Sequence, residues 1–368
     1  MEGLEVSGFD RAFKGRTVLV TGHTGFKGSW LSLWLKELGA KVVGYALPPN
    51  TDPSLFEQLG LARLVDSRFG DVRDAALLEK TLRETRPEIV FHLAAQPLVR
   101  LSYNQPAETF AVNVSGTANL LDAVRRTDSV RVCTVITTDK CYENRETDYA
   151  YRETDRLGGR DPYSASKACA ELLVSSYRDS FFRKEGRVSL SSARAGNVIG
   201  GGDWALDRLV PDCMRALAAG NQIVVRNPRS VRPWQHVLEP LSGYLTLAAR
   251  QLDAPEKYAE AWNFGPSDAD ARTAAQIAEL VVRAWGSGSW TSPAVDPAAP
   301  HEAGLLQLNS DKAHERLAWT PSCGVEAGVA KTVAWHHAAS LPGFDALAFT
   351  RAQIAARAAG RAGAGARP

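Results

Sequence analysis

Short runs rich in β-branched and apolar residues alternate along the chain with longer segments of helical spacing. The runs occupy residues 17–20, 41–47, 89–95, 132–137 and 188–195. Parallel strands are buried on both faces and need long crossovers, so runs separated by helical segments predict a parallel sheet with helices on both sides. We therefore expect an α/β fold built on a doubly wound parallel sheet.

Two of the intervening segments have a clear helical period. The first spans residues 29–39, where Trp30, Trp34 and Leu38 share a face and Gly39 is a suitable C-cap. We expect these aromatic side chains to belong to the core of the helix rather than to a ligand site. A second helix is predicted from about Thr109 to Arg126. Its apolar stripe consists of Val112, Leu120, Leu121 and Val124.

The pattern changes after residue 195. Segments rich in Gly, Pro and Trp then interrupt short helices, at 196–204, 226–237 and 262–270. Such segments are typical of ligand-binding loops rather than of a second compact sheet. We expect residues 1–195 to form a nucleotide-binding domain and residues 196–345 to form mainly a smaller, loop-rich substrate-binding lobe, from which some segments return to the first domain. Residues 346–368 lack an apolar stripe and predict a frayed, basic tail rich in Ala and Gly.

Composition and charge narrow the function classes. The chain has 368 residues, enough for one large α/β unit with a smaller lobe. Its formal net charge is only +2, with basic and acidic residues interleaved, so we expect no nucleic-acid partner. No stretch has the apolar length of a membrane span, and the first residues lack the pattern of a secretory leader. These features predict a cytoplasmic protein without a membrane partner.

The cysteines are scattered along the chain, at Cys133, Cys141, Cys169, Cys213 and Cys323. They have neither the close spacing of a metal site nor the pairing pattern of a disulfide framework. We expect reduced thiols and no metal.

A glycine-rich segment, TGHTGFKG, follows the first predicted strand and precedes a helix. Its glycines recur at intervals of three; they allow a tight turn and a close approach to a pyrophosphate, whose charge the helix N-terminus favours. This position predicts a Rossmann-like dinucleotide site, and the GxxGxxG spacing resembles the short-chain dehydrogenase/reductase superfamily. Cofactor contacts are expected from Gly22, Thr24, Gly25, Phe26, Lys27 and Gly28.

Other cofactor contacts are expected from segments 71–72 and 93–95. The residues concerned are Asp71, Val72, Leu93, Ala94 and Ala95. Asp71 could contact the adenine edge, although an ordinary loop or helix-cap aspartate is a competing interpretation. The second strand ends in YALPPN, with neither the acid that binds an adenosine ribose nor an Arg for a 2′-phosphate. The residues alone therefore leave NAD and NADP open.

Two polar motifs carry the candidate chemistry. Tyr163 and Lys167 form YxxxK, one helical turn apart; the ammonium stabilises a tyrosinate that can exchange a proton with a substrate hydroxyl, and it can also bind the nicotinamide ribose. Thr138, Asp139 and Lys140 follow the fourth strand run, at the edge where parallel sheets hold ligands. A solvated turn favours the same residue types. Catalysis is indicated by the combination of glycine loop, TTDK and YxxxK.

Several longer segments resemble the CDP-glucose 4,6-dehydratases. They are HLAAQPLVRLSY from His92, TDKCYEN from Thr138, DPYSASK from Asp161, ARAGNVIGGGDWALDR from Ala193, RPWQHVLEPLSGYL from Arg232 and WNFGPSDADA from Trp262. Together they extend over most of the chain. The dTDP-glucose 4,6-dehydratases are also similar but carry Glu at the position of Lys140, so the Asp-Lys pair points to the CDP-sugar branch.

This resemblance implies NAD as cofactor, CDP-glucose as substrate, a homodimer or higher homo-oligomer, and deoxysugar synthesis of the lipopolysaccharide type. The hypothesis that follows has Tyr163, steadied by Lys167, act as base at the C4 hydroxyl. Asp139 would protonate the departing C6 hydroxyl, Lys140 would remove the C5 proton or stabilise the enolate, and Thr138 would polarise the ketone. The product would be CDP-4-keto-6-deoxyglucose, with the cofactor regenerated.

The diphosphate of such a substrate requires cationic side chains, and the Arg fork suits phosphate oxygens. Substrate contacts are expected from Gln96, Asn197, Arg208, Arg226, Arg232 and His236. Arg232 is the strongest candidate because it lies in the similar RPWQHV segment. Each arginine could instead form a surface salt bridge.

Two alternatives remain at this point. A nucleotide-sugar epimerase or decarboxylase would share the glycine loop, Tyr163 and Lys167, but it would not need the acid and lysine at 139 and 140. A non-catalytic regulator that binds NAD or a nucleotide sugar, or senses the NAD/NADH ratio, would have no use for an activated phenol.

Overall fold

The architecture is known from a computed structural model, which describes residues 9, 11–267, 270–294 and 303–364, with side chains as far as 359. The strands are β1 (Thr17–Thr21), β2 (Lys41–Ala46), β3 (Asp66–Phe69), β4 (Ile89–His92), β5 (Val132–Ile136), β6 (Ala150–Tyr151), β7 (Ser189–Ala195), β8 (Asn197–Ile199), β9 (Ile223–Val224), β10 (Val231–His236), β11 (Ala261–Phe264), β12 (Ala271–Thr273), β13 (Trp290–Thr291) and β14 (Gln307–Leu308).

The helices are α1 (Phe26–Glu37), α2 (Leu55–Gln58), α3 (Ala75–Thr85), α4 (Val99–Asn104), α5 (Pro106–Phe110), α6 (Gly116–Arg125), α7 (Pro162–Tyr177), α8 (Arg183–Glu185), α9 (Leu209–Ala218), α10 (Leu238–Asp253), α11 (Pro255–Tyr258), α12 (Ala274–Trp285), α13 (Asp311–Leu317), α14 (Val325–Ala339) and α15 (Ala346–Ala364). Short 3₁₀ and π segments join some of them.

A seven-stranded sheet in the order β11-β7-β5-β4-β1-β2-β3 forms the centre of the molecule. Every neighbouring pair in it is parallel. The direction of winding reverses between β1 and β4, and a crevice forms at such a switch point beyond the carboxyl ends of the strands. The α/β, Rossmann-like, doubly wound fold predicted from the strand runs is confirmed.

Helices cover both faces of the sheet. One apolar layer contains Trp30 and Trp34 of α1 together with Leu241 of α10. The opposite layer contains Leu78 of α3 and Leu120 of α6. Each strand run is therefore buried on both sides, which explains why the runs are continuously apolar rather than alternating.

The lobe has its own core and its own small sheet, in the order β12-β10-β8. The loop expectation for residues 226–237 was wrong here, because β10 pairs in parallel with β8 and antiparallel with β12. β11 also lies in a segment expected to be loop, yet it forms the edge of the central sheet next to β7. β10 and β11 are short and contain Trp, Asn and Gln, so their local sequence does not predict strands. They become recognisable only from their pairing with neighbouring strands.

The expectation of a frayed tail was also wrong for the described residues. α15 packs against the body of the protein: Ile354 is buried and Thr350 accepts a hydrogen bond of 3.0 Å from Nε1 of Trp335. Arg357 is buried too, with Nη2 3.0 Å from Oε2 of Glu239. A buried ion pair and a few apolar side chains hold this helix where no continuous apolar stripe exists.

The helix predicted from Thr109 to Arg126 is continuous but not α-helical throughout. A π-helical segment over 111–115 joins α5 directly to α6. Its predicted stripe is buried at Leu120, Leu121 and Val124 and half-buried at residue 112. Among the described residues, no helix is both long and apolar enough to cross a membrane. All five cysteines are free thiols.

Candidate active site

A cavity of about 690 Å³ opens beyond the carboxyl ends of the central strands. Its walls come from the glycine loop before α1, the segments after β2, β4 and β5, the start of α7, and the lobe segments around β8 and β10. The cavity therefore lies at the switch point between β1 and β4, with the lobe as its second wall.

The glycine loop approaches other backbone atoms so closely that it admits no side chains at two positions. Gly22 has a φ of +75°, and a Cβ there would stand 2.7 Å from the amide nitrogen of Ala94. A Cβ on Gly28 would stand 2.0 Å from the carbonyl oxygen of Gly22. α1 begins at Phe26, so its N-terminus faces the cavity. This cradle fits a dinucleotide pyrophosphate.

The walls beyond β2 and β3 carry the expected adenine-side residues. Asp71 and Val72 line the cavity. The Asp71 carboxylate accepts hydrogen bonds from Arg73, which lowers the pKa of Asp71, and its carbonyl accepts from the Tyr45 hydroxyl at 2.9 Å. The residues after β2 that line the cavity include neither an acid nor a basic side chain: Ala46, Leu47, Pro48, Asn50 and Thr51.

Leu93, Ala94 and Ala95 line the cavity directly after β4, as expected. Gln96, a predicted substrate contact, lies outside the cavity wall in this structure. Its side-chain amide donates to the carbonyl of Leu98 at 3.1 Å and to Oγ1 of Thr109 at 2.9 Å, and Gln96 is not part of the cavity wall. The Gln96 side chain therefore stabilises the loop after β4 by linking it to α5.

The TTDK segment forms a 3₁₀ turn where β5 ends. Oγ1 of Thr138 donates to Oδ1 of Asp139 at 2.9 Å. The Asp139 side chain is fully buried, and its Oδ2 has no hydrogen-bond partner among the described residues. Nζ of Lys140 lies 3.7 Å from Oδ1 of Asp139 and 3.5 Å from Oδ1 of Asn197, and both Lys140 and Asn197 line the cavity. An acid and a cation are thus adjacent, but only Lys140 lines the cavity, while Asp139 lies buried next to the wall.

The start of α7 brings Tyr163 and Lys167 to the same cavity wall. Asp161 caps the helix by accepting from the amide of Ser164 at 2.9 Å, and Pro162 occupies its first turn. Nζ of Lys167 lies 3.5 Å from the carbonyl of Ile136 at the end of β5. The YxxxK pair is therefore adjacent to the TTDK turn.

Burial changes the protonation chemistry of these groups. Desolvation raises the pKa of the Tyr163 phenol to about 12, against a hydrogen bond with Thr138 and the charge of Arg208, which both lower it. Desolvation lowers the pKa of Lys167 to about 8. Lys27 in the glycine loop has its pKa lowered to about 7, by burial first and then by the nearby charges of Lys167 and Arg208. Perturbed groups gathered in one crevice are typical of active sites.

Three arginines of the lobe reach the cavity. Arg208 donates to Oδ2 of Asp203 at 3.0 Å, and Arg226 donates to Oδ1 of Asp207, also at 3.0 Å. Arg232 is mostly buried in the wall and donates to the backbone carbonyls of Val231 and Ala303. They bring three guanidinium groups to the cavity wall, where Asp203 and Asp207 pair with two of them.

His236, a predicted substrate contact, also lies outside the cavity wall in this structure. Its side chain is buried, packs edge-on against Trp30 of α1 at 6.1 Å, and is absent from the cavity wall. Burial lowers its pKa to about 3. His236 and Arg232 are four residues apart on β10, so their side chains point to the same face of the strand. His236 nevertheless does not reach the cavity, because α1 covers that end of β10.

The sequence did not single out several residues of the cavity wall. Examples are Arg100 and Tyr103 on α4, Tyr142 after the TTDK turn, and Arg160 and Trp234. Most of them lie inside or beside the motifs discussed above, so proximity to those motifs was the only available signal.

Sequence comparison places the chain among known dehydratases. The family model "GDP-mannose 4,6 dehydratase" matches residues 19–332. The chain is 52% identical to the CDP-glucose 4,6-dehydratase of Salmonella typhimurium over 331 residues, covering 89% of this chain and 92% of that protein. It is 28% identical to the dTDP-glucose 4,6-dehydratase of Xanthomonas campestris, covering 87% and 93%.

Comparison with solved structures shows the same fold. The Bacillus anthracis dTDP-glucose 4,6-dehydratase in complex with NAD matches with a TM-score of 0.72 at 20% identity, covering 88% of this chain and 96% of that one. The Thermus thermophilus UDP-glucose 4-epimerase in complex with NAD matches with a TM-score of 0.71 at 25% identity, covering 87% and 98%. Dehydratases and epimerases thus share this scaffold, and only the site distinguishes them.

Proposed function

This chain belongs to the GDP-mannose 4,6-dehydratase family of nucleotide-sugar dehydratases, and we propose that it removes water from CDP-glucose to give CDP-4-keto-6-deoxyglucose. One observation carries the choice of substrate: 52% identity to a CDP-glucose 4,6-dehydratase along nearly the whole of both chains. The adjacent Asp139 and Lys140 support dehydration over epimerisation, because an epimerase does not expel the C6 hydroxyl and needs no acid there.

NAD fits the cofactor half of the cavity. The Gly22 and Gly28 cradle suits a pyrophosphate, and the wall after β2 offers no cation for a 2′-phosphate. When bound, NAD supplies a hydride acceptor at C4 and returns the hydride to C6 in the same turnover. The Lys167 side chain is placed to bind the nicotinamide ribose.

The oxidation requires a base at the C4 hydroxyl. Tyr163 takes that proton as the phenolate and becomes the neutral phenol, and the positive charge of Arg208 favours the phenolate beforehand. Thr138 hydrogen-bonds the Tyr163 oxygen and polarises the forming ketone. Burial and the charges of Asp139 and Asp161 oppose ionisation of Tyr163, so Arg208 and the Thr138 hydroxyl are the groups that favour the reactive phenolate.

The elimination requires an acid and a base at neighbouring carbons. Once C4 is a ketone, the C5 proton is acidic; Lys140 removes it or stabilises the enolate charge. Asp139 donates a proton to the C6 hydroxyl, which leaves as water. Returning the hydride to C6 and a proton to C5 completes the sequence, so the net change is the loss of one water.

The lobe holds the nucleotide diphosphate in this proposal. Arg208, Arg226 and Arg232 bring guanidinium groups to one wall, and such groups bind phosphate oxygens as a fork. Asn197 lines the cavity with its Oδ1 3.5 Å from Nζ of Lys140, which supports a contact with the sugar.

We further propose that the protein acts in the cytoplasm as a homodimer for deoxysugar synthesis of the lipopolysaccharide type. Free thiols throughout suit a reducing compartment. Leu172 on α7 and Phe181 just after it are large apolar side chains that remain 59% and 37% exposed, which suits a helix-mediated contact between two copies. Light scattering on the wild type and on Leu172→Glu measures this contact directly; an unchanged mass would place the contact elsewhere.

The decisive experiment is a comparison of substrates. The purified protein is incubated separately with CDP-, dTDP-, UDP- and GDP-glucose, with and without added NAD, and each sugar is followed by mass spectrometry. We expect loss of one water from CDP-glucose alone. A change of stereochemistry without water loss, or water loss from another nucleotide only, would refute the proposed reaction or the proposed base.

A further inference from the structure

A buried carboxylate lies one helical turn beyond the catalytic lysine. Glu171 follows Lys167 by four residues on α7, so both side chains lie on the same face of the helix. Its side chain is only 1% exposed, and Glu171 is not part of the cavity wall. A buried charge is costly unless it is paired and hydrogen-bonded, so its presence here requires an explanation.

The Glu171 carboxylate is fully paired. It accepts hydrogen bonds from Oγ1 of Thr137, from Oγ of Ser192 at 2.7 Å and from Nη2 of Arg194 at 2.7 Å. Arg194 in turn donates to the hydroxyl of Tyr142 at 2.7 Å. Three elements are thereby joined at one carboxylate: α7, the end of β5, and β7.

Through these partners, Glu171 contacts the strand end that leads into the TTDK turn, on the side away from the cavity. Thr137 precedes the catalytic Thr138 and lines the cavity. Nζ of Lys167 lies 3.5 Å from the carbonyl of Ile136, the residue before Thr137. The carboxylate therefore holds the strand end that carries Thr138 against the helix that carries Lys167.

Several charged groups act on the Lys167 ammonium. Burial lowers the pKa of Lys167, whereas Glu171 on α7 and Cys141 in the 3₁₀ turn raise it. Lys27 from α1 and His92 from β4 also interact with Lys167, and each has its own pKa lowered by it. Glu171 is the nearby acid that favours the charged ammonium.

Glu171 itself stays ionised among its neighbours. Burial would raise its pKa, but Arg194 and the hydrogen bonds from Thr137 and Ser192 hold it below its usual value. Arg178, in the π segment after α7, also interacts with the Glu171 charge. The Glu171 carboxylate therefore remains negatively charged across the pH range in which Lys167 titrates.

We propose that Glu171 is a positioning residue for the reaction: its buried carboxylate aligns Lys167 with the Thr137–Thr138 strand end and keeps the Lys167 ammonium charged. This inference rests on the proposed function. It assigns Glu171 no contact with substrate or cofactor.

The test compares two buried glutamates. Glu171→Gln keeps the shape of the side chain but removes its charge, and one of its two accepting oxygens becomes an NH2 group that donates. Glu239→Gln is the matched control, because Glu239 is also fully buried, also pairs with a buried arginine, Arg357 at 3.0 Å, and lies outside the cavity wall. Both variants, loaded with NAD, are assayed for water loss from CDP-glucose across neutral and alkaline pH, alongside their unfolding free energies.

We expect both variants to lose stability but only Glu171→Gln to change its pH profile. Without the anion, Lys167 loses its proton at lower pH, so the alkaline limb of kcat should move to lower pH by about one unit, a tenfold loss at fixed alkaline pH. KM should change little, because substrate contacts remain. A stability loss equal to that of Glu239→Gln, with the wild-type pH profile retained, would show that Glu171 is merely structural.

A second pair of variants tests the alignment without touching the charge and serves if Glu171→Gln does not fold. Thr137→Val removes the hydroxyl bound to Glu171, and Thr137→Ser restores it. We expect Thr137→Val to lower kcat at least tenfold with an unmoved alkaline limb, and Thr137→Ser to recover most of kcat. Equal activity of the two would overturn the alignment role. Wild-type turnover in the same assay reports separately on the function: an inactive wild type would overturn both proposals.

Discussion

The ammonium nitrogen of Lys140 lies 3.7 Å from Oδ1 of Asp139, while Oδ2 of that buried carboxyl has no hydrogen-bond partner among the described residues. Two neighbouring side chains on one 3₁₀ turn therefore bring a carboxyl group and an amine together, with Lys140 in the cavity wall and Asp139 buried next to it. In the proposed reaction, loss of a proton from C5 and of hydroxide from C6 needs a base and an acid at adjacent carbons. The proposed oxidation, by contrast, depends mainly on Tyr163 and Lys167 from α7, with Thr138 hydrogen-bonded to the phenol. The elimination can therefore be removed at Lys140 without changing Tyr163, Lys167 or Thr138.

Replacing Lys140 with Met should stop dehydration but preserve oxidation at C4. We expect turnover to fall by about 10²- to 10⁴-fold, the usual contribution of a positioned acid or base. Reduced cofactor should still form on mixing with CDP-glucose, because Tyr163 and Lys167 are unchanged. The measurements are water loss by mass spectrometry, absorbance of the reduced cofactor, and deuterium uptake at C5 in heavy water. Lys80→Met, which removes a surface lysine that is 69% exposed, is the control and should behave as wild type. Full dehydration and C5 exchange in Lys140→Met would contradict the assigned role.

Replacing Lys167 with Arg should remove the alkaline limit on activity. Burial lowers the pKa of Lys167 to about 8, so the wild type should lose kcat as pH rises through that value and the ammonium becomes neutral. An arginine stays charged at that pH. We expect a lower maximal kcat, since the guanidinium is larger, but no fall near the wild-type limb. Measurements of kcat for both proteins over a series of pH values test this difference. If the variant keeps the wild-type limb, another group sets it.

The positions of the catalytic residues could be predicted because they depend on local order. Tyr163 and Lys167 are four residues apart on one helix, and the TTDK turn follows a buried strand run, so elementary helix and sheet geometry placed both motifs at the same edge. The glycine spacing was equally local. The structure brings the glycine loop, Thr138, Lys140, Tyr163 and Lys167 to the cavity wall, whereas Asp139 lies buried next to it.

The placement of other residues depends on tertiary contacts that the local sequence pattern does not show. Gln96 turns away from the cavity because Thr109 of α5 accepts a hydrogen bond from its side-chain amide. His236 is covered by Trp30 of α1. Glu171 has no local signature at all, since its partners come from β5 and β7. β3 has the polar sequence DSRF and is recognisable only through its pairing with β2.

Replacing Arg232 with Ala should weaken substrate binding with little effect on kcat. A hydrogen bond to a charged group contributes about 1.5–3 kcal/mol, so we expect KM for CDP-glucose to rise by about tenfold to a hundredfold. Arg229→Ala is the matched control, because Arg229 lies in the same segment but is exposed and outside the cavity wall. Initial rates over a substrate series separate KM from kcat. An unchanged KM in Arg232→Ala would refute its role at the diphosphate.

Replacing Arg357 with Met should destabilise the whole protein, although it lies in a segment that looks like a dispensable tail. Arg357 and Glu239 are only 3% and 0% exposed, so the variant leaves a buried carboxylate without its cation. Breaking such a pair costs about 3–5 kcal/mol of unfolding free energy. Arg351→Met on the same helix is the control: its partner Glu37 is 2.8 Å away, but both side chains are about 40% exposed, and a surface pair contributes about 1 kcal/mol or less. Denaturant unfolding of both variants gives the comparison of their unfolding free energies.

The double variant Glu239→Gln, Arg357→Met should recover part of the lost stability, since no buried charge then remains unpaired. Equal stability of Arg357→Met and Arg351→Met would mean that α15 does not depend on the buried ion pair.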